Sequence, residues 1–160
     1  MARIEVPEGP GGDAAMVWAL RPAMGAMVET MVGTVYARSI LPAEEREVAR
    51  MRIAQLNARE ACATYRAPSV VAAGVAEDAY DHLHEYRDYE GYTGRQRLAV
   101  EFAERFATDH GSIDDELFGR LRGAFSDAEV LDLTMCVAVY LGLGRALAVL
   151  GIDEHAPYGV

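Results

Sequence analysis

The residues of this chain whose types and spacing could do chemistry lie between positions 47 and 66. Glu47 opens this segment, and Cys62 lies between two arginines, Arg59 and Arg66. On a helix, positions 59, 62 and 66 are spaced i, i+3 and i+7, so their side chains share one face. Two guanidinium groups beside a thiol favour the thiolate, and together they can bind a carboxylate or an enolate. The spacing therefore predicts an anion-binding site at Cys62.

Two further residues of the segment, Glu60 and Tyr65, lie beside this face. Glu47 is fifteen residues before Cys62, a separation of about 22 Å on a straight helix at 1.5 Å per residue. Glu47 can therefore join the site only if the helix breaks. We expect the break at Asn57, because asparagine favours caps and turns, and as an N-cap it would begin a second helix close to the thiol.

Each of these residues also has a purely structural interpretation. Cys62 lies between Ala61 and Ala63, and free cysteine is among the most buried residue types. The two arginines can pair with Glu60 and neighbouring acids on a solvated helix face. Glu47 can simply favour the first turn of its helix, where the helix dipole attracts anions. The residues alone leave these alternatives open.

The same segment resembles a known signature. Residues 52–58 have the sequence RIAQLNA and are followed, after a four-residue step, by Cys62. Two later stretches agree in order and spacing, YTGRQRLA at 92–99 and FSDAEVLDLT at 125–134. On these motifs the chain resembles the alkylhydroperoxidase D and carboxymuconolactone decarboxylase family over residues 40–152. The resemblance implies an all-α domain and a symmetric homo-oligomer, either a trimer or a hexamer built from trimers.

The thiol-active branch of that family carries a glutamate, a Cys-x-x-Cys pair and a histidine. By position, Glu47 matches the glutamate and Cys62 the second cysteine, whereas Arg59 and Arg66 replace the first cysteine and the histidine. A dithiol reductase needs a second sulfur whose Cα lies within about 7 Å. The other thiol, Cys136, is seventy-four residues further along the chain. We therefore do not expect the family's disulfide cycle here.

The leading hypothesis is non-redox chemistry of the lyase, isomerase or hydrolase type on a small organic acid or lactone, as the decarboxylase branch implies. In this hypothesis Glu47 or Glu60 moves a proton, and Cys62 lines the pocket or assists. The residues expected to bind the anionic group are Arg59, Arg66 and Tyr65. One alternative is a one-cysteine peroxide reductase or sensor that uses Cys62 and an external thiol. Another is a catalytically idle oligomeric binding protein.

Composition excludes several function classes. All fifteen basic residues are arginine, against 25 acidic residues and a formal net charge of −10. Without lysine, Schiff-base chemistry and pyridoxal phosphate are impossible, and the excess of acid argues against binding to nucleic acid or anionic membranes. No cofactor motif is visible. We expect no metal site, because His82 and His84 are two residues apart and point to different sides of a helix.

Helical punctuation recurs along the chain, so the sequence predicts an all-α fold of six to eight helices. We expect a flexible leader at 1–12 and a single helical domain at 13–160. No signal peptide is visible and the apolar run at 133–144 is shorter than the ~20 residues of a spanning helix, which predicts a cytoplasmic protein. The Met-rich first helix and the Gly-rich last helix are candidate subunit interfaces. The predicted helical stretches are 14–35, 41–66, 69–74 and 75–86, followed by helices that begin at Thr93, Ser112 and Ser126.

Overall fold

The fold is helical throughout the residues that the computed structural model describes, which are 2–10, 12–58 and 60–152, with only the backbone of residues 60 and 61. Within these ranges no strand occurs, and short 3-10 turns join some of the α-helices. The all-α class predicted from the sequence is confirmed. The helices are α1 (Gly12–Met16), α2 (Pro22–Ala37), α3 (Ala43–Leu56), α4 (Glu60–Thr64), α5 (Pro68–Ala73), α6 (Asp78–Asp81), α7 (Gly94–Thr108), α8 (Asp115–Ala124) and α9 (Asp127–Val149).

The central element is α3, which packs chiefly against α7 and α9 and also contacts α4 and α5. Its burial extends around the whole helix and includes charged side chains that need partners in the interior. Glu45 is bound by Arg95 of α7, with Nε 2.6 Å from Oε1. Arg52 binds Glu104 of α7, with Nε 2.8 Å from Oε2. Ion pairs as well as apolar contacts therefore attach α3 to α7.

Two of the predicted helix starts are confirmed as capping boxes. Thr93 Oγ1 accepts from the backbone of Gln96, whose side chain accepts from the Thr93 backbone, and Ser126 and Glu129 form the same arrangement at the start of α9. The predicted start at Ser112 is wrong. Asp114 caps α8 instead, because Ser112 belongs to a separate 3-10 turn.

The predicted helix break at Asn57 is present, but the predicted N-cap role is wrong. Asn57 is the C-cap of α3, and the chain turns at Ala58, whose φ is +51°, before α4 begins at Glu60. The side chain of Asn57 faces α9 instead of α4, since its Oδ1 accepts from Arg145 Nε at 3.2 Å. The break therefore comes from a left-handed residue after the cap and from an anchoring bond to α9.

The first predicted helical stretch is divided in two. After α1 a 3-10 turn covers Val17–Leu20, and α2 begins at Pro22, which occupies its first position. A proline is favoured there because its missing N–H has no partner in the first turn. Ahead of α1, the backbone N–H of Arg3 donates to Leu150 O at 2.8 Å. The N-terminal segment thus contacts the end of α9.

The long helix α9 and the Met-rich α2 leave apolar side chains uncovered. By length and composition α9 is apolar enough to cross a membrane, a test that the core helix of a soluble protein also passes. It packs against α3 and α2, and Gly151, in the left-handed region, follows its C-cap. The exposed apolar face of these two helices comprises Met24, Met27, Met31, Leu131 and Met135.

Candidate active site

A buried ion pair on α3 lies at the centre of the candidate site. Glu47 is 1% exposed and Arg50 is 3% exposed. The guanidinium group binds the carboxylate through two hydrogen bonds, Nε to Oε2 at 2.8 Å and Nη2 to Oε1 at 2.5 Å. This bidentate geometry is the strongest form of an arginine–carboxylate contact, and it compensates two charges that would otherwise be costly to bury.

The same guanidinium group attaches α4 to α3. Arg50 Nη1 donates to the carbonyl oxygen of Cys62 at 2.6 Å, and Nη2 donates to the carbonyl oxygen of Tyr65 at 3.0 Å. Arg50 therefore sets the position of the cysteine helix relative to Glu47. Together with the turn at Ala58, this contact brings Glu47 and the 62–65 backbone to one guanidinium group, as the predicted helix break requires.

Arg50 is a site residue that the sequence reasoning missed. A glutamate and an arginine at i and i+3 are common on solvated helix faces, where such a pair contributes little. The available signal was that Val48, Met51 and Ile53 surround the pair on the same helix. Arg46 and Arg52 flank the pair as well, so the local sequence alone does not show that the pair is buried.

The charge of Glu47 acts on four tyrosines, Tyr36, Tyr65, Tyr80 and Tyr140, which are hereafter called the tyrosine group. Tyr36 contacts Tyr65 edge to face at 6.3 Å between ring centroids and Tyr140 at 5.6 Å. Burial raises the pKa of Tyr80 to about 12 and raises the pKa values of the other three, and the Glu47 charge raises each further. At neutral pH all four hydroxyl groups are therefore protonated and can donate hydrogen bonds.

Two hydroxyl groups of the tyrosine group are buried without a partner. The oxygens of Tyr80 and Tyr140 form no hydrogen bond with the residues that the structure describes. An unsatisfied buried polar group costs about 1–3 kcal/mol, and such groups in a native fold call for an explanation in terms of function or binding. Both hydroxyls can donate to an oxygen atom of a bound small molecule.

Cys62 is half-buried at this site, while the second thiol is structurally separate. Cys62 packs against the apolar cluster that contains Val48 and Met51, and its charge, when ionised, would act on Tyr36. Cys136 is fully buried on α9, where burial raises its pKa to about 12 and its Sγ lies 3.4 Å from Asp132 Oδ1. Both cysteines are free thiols. The packed, structural interpretation of Cys136 fits these contacts.

The structure gives Arg66 a different set of contacts from the predicted anion fork. Its Nε and Nη2 bind the two carboxylate oxygens of Glu77 at 3.0 and 2.8 Å, and its Nη1 donates to Ala63 O at 2.7 Å. The guanidinium group also lies over the Tyr80 ring, 3.9 Å from its centroid. Glu77 is 72% exposed, so a ligand carboxylate would have to displace a solvent-facing one.

The remaining predicted site residues have less structural definition. Arg59 and the side chain of Glu60 lie outside the described residues, and their assigned roles stay predictions. Tyr65 is half-buried in the tyrosine group. His82 is hydrogen-bonded to Glu85 and stacked on Tyr89 at 3.9 Å. In the described part of the chain, no group of three potential metal ligands occurs.

Comparison with known proteins gives a match in structure but not in sequence. No protein-family model matches the chain, and no curated protein matches it in sequence. A protein of unknown function from Agrobacterium tumefaciens, described as a candidate antioxidant defence protein AhpD, is similar with a TM-score of 0.76 and 19% identity over 97% of this chain and 98% of the other. An uncharacterised peroxidase-related protein from Silicibacter sp. has a TM-score of 0.80 and 16% identity over 98% and 93%.

These similarities define the class of fold. They extend over nearly the whole of both chains, so the helices match as a complete domain. The chain thus has the alkylhydroperoxidase D-like all-α fold that the motifs at 52–58, 92–99 and 125–134 predict. At this level of identity the similarity concerns the fold alone, and activity has to be argued from the site.

Proposed function

We propose that this protein is a small-molecule enzyme that carries out non-redox chemistry of the lyase, isomerase or hydrolase type on an organic acid or lactone. The observation that carries the proposal is the buried Glu47–Arg50 pair surrounded by the tyrosine group. Proton transfer to or from carbon needs a positioned base and donors for the oxyanion that develops. Glu47 supplies the base, and the unpartnered hydroxyls of Tyr80 and Tyr140 supply the donors.

The backbone contacts of Arg50 hold the site together when Glu47 exchanges a proton. When Glu47 takes a proton, one partner of the guanidinium group loses its charge. Arg50 still donates to the carbonyl oxygens of Cys62 and Tyr65, which hold the guanidinium group in place. The site therefore keeps its geometry through the step, which is the property that electrostatic preorganisation requires. Cys62 lines the pocket in this mechanism.

The test is turnover of a panel of small lactones and organic acids, followed by nuclear magnetic resonance of substrate and product. Glu47→Gln is expected to lower the rate about 10²- to 10⁴-fold, the usual contribution of a general base. Glu90→Gln, at an exposed glutamate outside the candidate site, is the control, and rates are compared per folded molecule because Glu47→Gln is also expected to lose stability. Full turnover by Glu47→Gln would contradict the proposal.

Tyr80→Phe separates an effect on activity from an effect on folding. Because the Tyr80 hydroxyl is buried without a partner among the described residues, removing it leaves no acceptor unsatisfied and the fold is expected to be as stable or more stable. Turnover is expected to fall because a donor to the substrate is lost. A variant that is more stable but less active would support a functional role for this hydroxyl. Unchanged turnover would remove Tyr80 from the mechanism.

A one-cysteine peroxide reductase or sensor is the second candidate, favoured by the antioxidant and peroxidase descriptions of the similar structures. The Cys62 thiolate would attack a peroxide oxygen, giving a sulfenic acid at Cys62 and water or an alcohol, and an external thiol would reduce the sulfenic acid. Treatment with stoichiometric peroxide in a Cys136→Ser background should then add one oxygen at Cys62. An inert Cys62 would exclude this function and leave the non-redox proposal.

The proposed partner is a second copy of the chain, in a trimer or a hexamer built from trimers. The exposed apolar face of α2 and α9 supports this, since Met27 is 74% exposed and methionine-rich surfaces suit protein contacts. Met27→Glu should lower the mass of the assembly measured by light scattering, whereas Glu29→Gln on the same helix should not. An unchanged mass in Met27→Glu would place any interface elsewhere.

A further inference from the structure

Arg46 is a buried cation that lacks a carboxylate partner in the described part of the chain. The side chain is 4% exposed. Its Nε has no hydrogen-bond partner, and its Nη2 makes one long contact, 3.4 Å, with Ser69 Oγ at the start of α5. An uncompensated buried charge is expensive for a protein to maintain. The described residues therefore do not account for the buried charge of Arg46.

The side of the Arg46 guanidinium group that carries Nε and Nη2 is the side with which other arginines of this chain bind a carboxylate. In Arg50, Arg66 and Arg95 the Nε and Nη2 groups together bind the two oxygens of a glutamate. The Nε–Nη2 edge matches a carboxylate in shape and charge. Arg46 presents the same edge with Nε free and Nη2 only weakly held. The stereochemistry thus specifies an anion with two parallel oxygen acceptors.

A third donor lies in the same neighbourhood. The Tyr36 ring contacts Tyr140 at 5.6 Å between ring centroids and lies 6.0 Å from the Arg46 guanidinium carbon. The Tyr140 hydroxyl is buried and unpartnered among the described residues, and the charge of Arg46 acts on it. Two unsatisfied donors from α3 and α9 therefore occur around one aromatic ring, which offers an apolar surface to the body of a ligand.

The hydrogen bonds of Asp132 are made with groups other than Arg46. Asp132 acts electrostatically on Cys136, as Arg46 does. Its Oδ2 accepts from Ser39 Oγ at 3.0 Å and also from the backbone N–H of Ile40, and its Oδ1 lies against Cys136 Sγ. Ser69, by contrast, is exposed. Through Nη2 the guanidinium group thus contacts an exposed residue at the start of α5.

We infer that Arg46, Ser69 and Tyr140 form a binding subsite for the carboxylate group of a small organic acid. Arg46 binds the two carboxylate oxygens through Nε and Nη2, Ser69 and Tyr140 add hydrogen bonds, and the ring of Tyr36 contacts the hydrocarbon part. The inference deepens the proposed function, because it names the substrate group that is held beside Glu47. Equilibrium binding tests it without turnover.

The experiment is calorimetric titration of the full-length protein with benzoate at constant ionic strength, with chloride as the reference anion. One benzoate is expected to bind per chain, and Arg46→Gln should weaken binding at least roughly tenfold because charge and fork are both lost. Arg38→Gln, at the exposed arginine that follows α2, is the matched control and should bind as the wild type does. Absence of benzoate binding by the wild type, or equal binding by Arg46→Gln, would overturn the inference.

Two further measurements keep the test decisive if Arg46→Gln folds poorly. Arg46→Lys retains the charge but not the planar fork, so benzoate binding should still be lost. Arg46→Met in carboxylate-free buffer should be at least as stable as the wild type, because it removes an unpaired buried cation. A strongly destabilised Arg46→Met would indicate an internal partner. If the wild type does not bind benzoate and Arg46→Met forms a smaller assembly than the wild type, the missing carboxylate belongs to a second copy of the chain. An internal partner and a partner from a second copy would each overturn the inference.

The outcomes for the subsite and for the proposed function are distinguishable. Benzoate binding that depends on Arg46, together with full turnover by Glu47→Gln, would retain the subsite and refute the catalytic role of Glu47. Turnover that depends on Glu47 but is unchanged in Arg46→Gln would refute the subsite and retain the catalytic role of Glu47.

Discussion

The buried pair of Glu47 and Arg50 makes a quantitative prediction about stability. Glu47→Gln leaves the Arg50 charge buried without a carboxylate, and removing one partner of such a pair costs about 3–5 kcal/mol. Arg50→Met should cost at least as much, because it leaves the Glu47 charge unpaired and also removes the bonds to Cys62 O and Tyr65 O. The double variant carries neither buried charge. Its loss should therefore be smaller than the sum of the single losses by about 2–3 kcal/mol.

The assay is equilibrium unfolding in urea, followed by far-ultraviolet circular dichroism. With a slope of about 2 kcal/mol per molar urea, a loss of about 3–5 kcal/mol lowers the midpoint by about 1.5–2.5 M. The matched control is Glu77→Gln, which breaks the arginine pair of an exposed carboxylate. An exposed pair contributes about 0–1 kcal/mol, so its midpoint should fall by about 0.5 M or less.

A particular result would refute this reasoning. If the losses of the two single variants add up to that of the double variant within about 0.5 kcal/mol, the two side chains are energetically independent. The pair would then not be the compensated, desolvated contact that the distances and burial describe.

Three other predictions concern charge, titration and packing. Ser126 and Arg95 lower the pKa of Glu129 to about 2. Its ionised form therefore stabilises the fold above the ordinary pKa of a glutamate, and this contribution is lost as the pH falls from 4.5 towards 2. The melting temperature of Glu129→Gln should depend less on acid than that of the wild type, whereas that of Glu29→Gln should depend on acid as the wild type does. Because the pKa of Tyr80 is raised to about 12, its contribution to stability is lost as the pH rises from 10 to about 12. The absorbance difference at 295 nm between the wild type and Tyr80→Phe should appear near pH 12 or with unfolding. A rise in this absorbance difference at pH 10 would contradict the burial of Tyr80. Gly144→Ala places a methyl group 2.5 Å from Asn57 Nδ2 and should lower stability by about 1–3 kcal/mol, measured by urea unfolding; a wild-type midpoint would show that Asn57 can move aside.

Local rules of helix formation made much of the fold predictable. The capping boxes at Thr93 and Ser126 depend on residues three positions apart, so the sequence alone specifies them. The break near Asn57 was also predictable, since the residue type disfavours a helix interior. Its mechanism was not, because the anchoring bond to Arg145 joins residues that are distant along the chain. The start of α8 was misassigned because Ser112 and Asp114 are both good caps and tertiary packing selects one of them.

The candidate site was only partly predictable for the same reason. Cys62 was singled out by its spacing to Arg59 and Arg66, and Glu47 by its place in the family motif. Arg50 and Arg46, by contrast, look like ordinary surface residues of a charged helix. What distinguishes them is burial, which depends on α7 and α9. Arg66 was expected at an anion site, but its partner Glu77 comes from an irregular segment whose path no local pattern specifies. Buried charges in a helix of low hydropathy are therefore the signal to look for.

The central position of α3 has a consequence for how the chain folds as it is synthesised. The helices that cover α3 are α7 and α9, and both follow it in the sequence. A ribosome therefore completes α3 well before these partners are synthesised. A fourteen-residue helix is marginal in water by itself, and its glutamates and arginines stay hydrated until α7 arrives. A nascent chain that ends before Gly94 can form the contacts of α3 with α4 and α5 but lacks those with α7 and α9. We therefore expect the domain to become fully stable only once α7 and α9 have been synthesised.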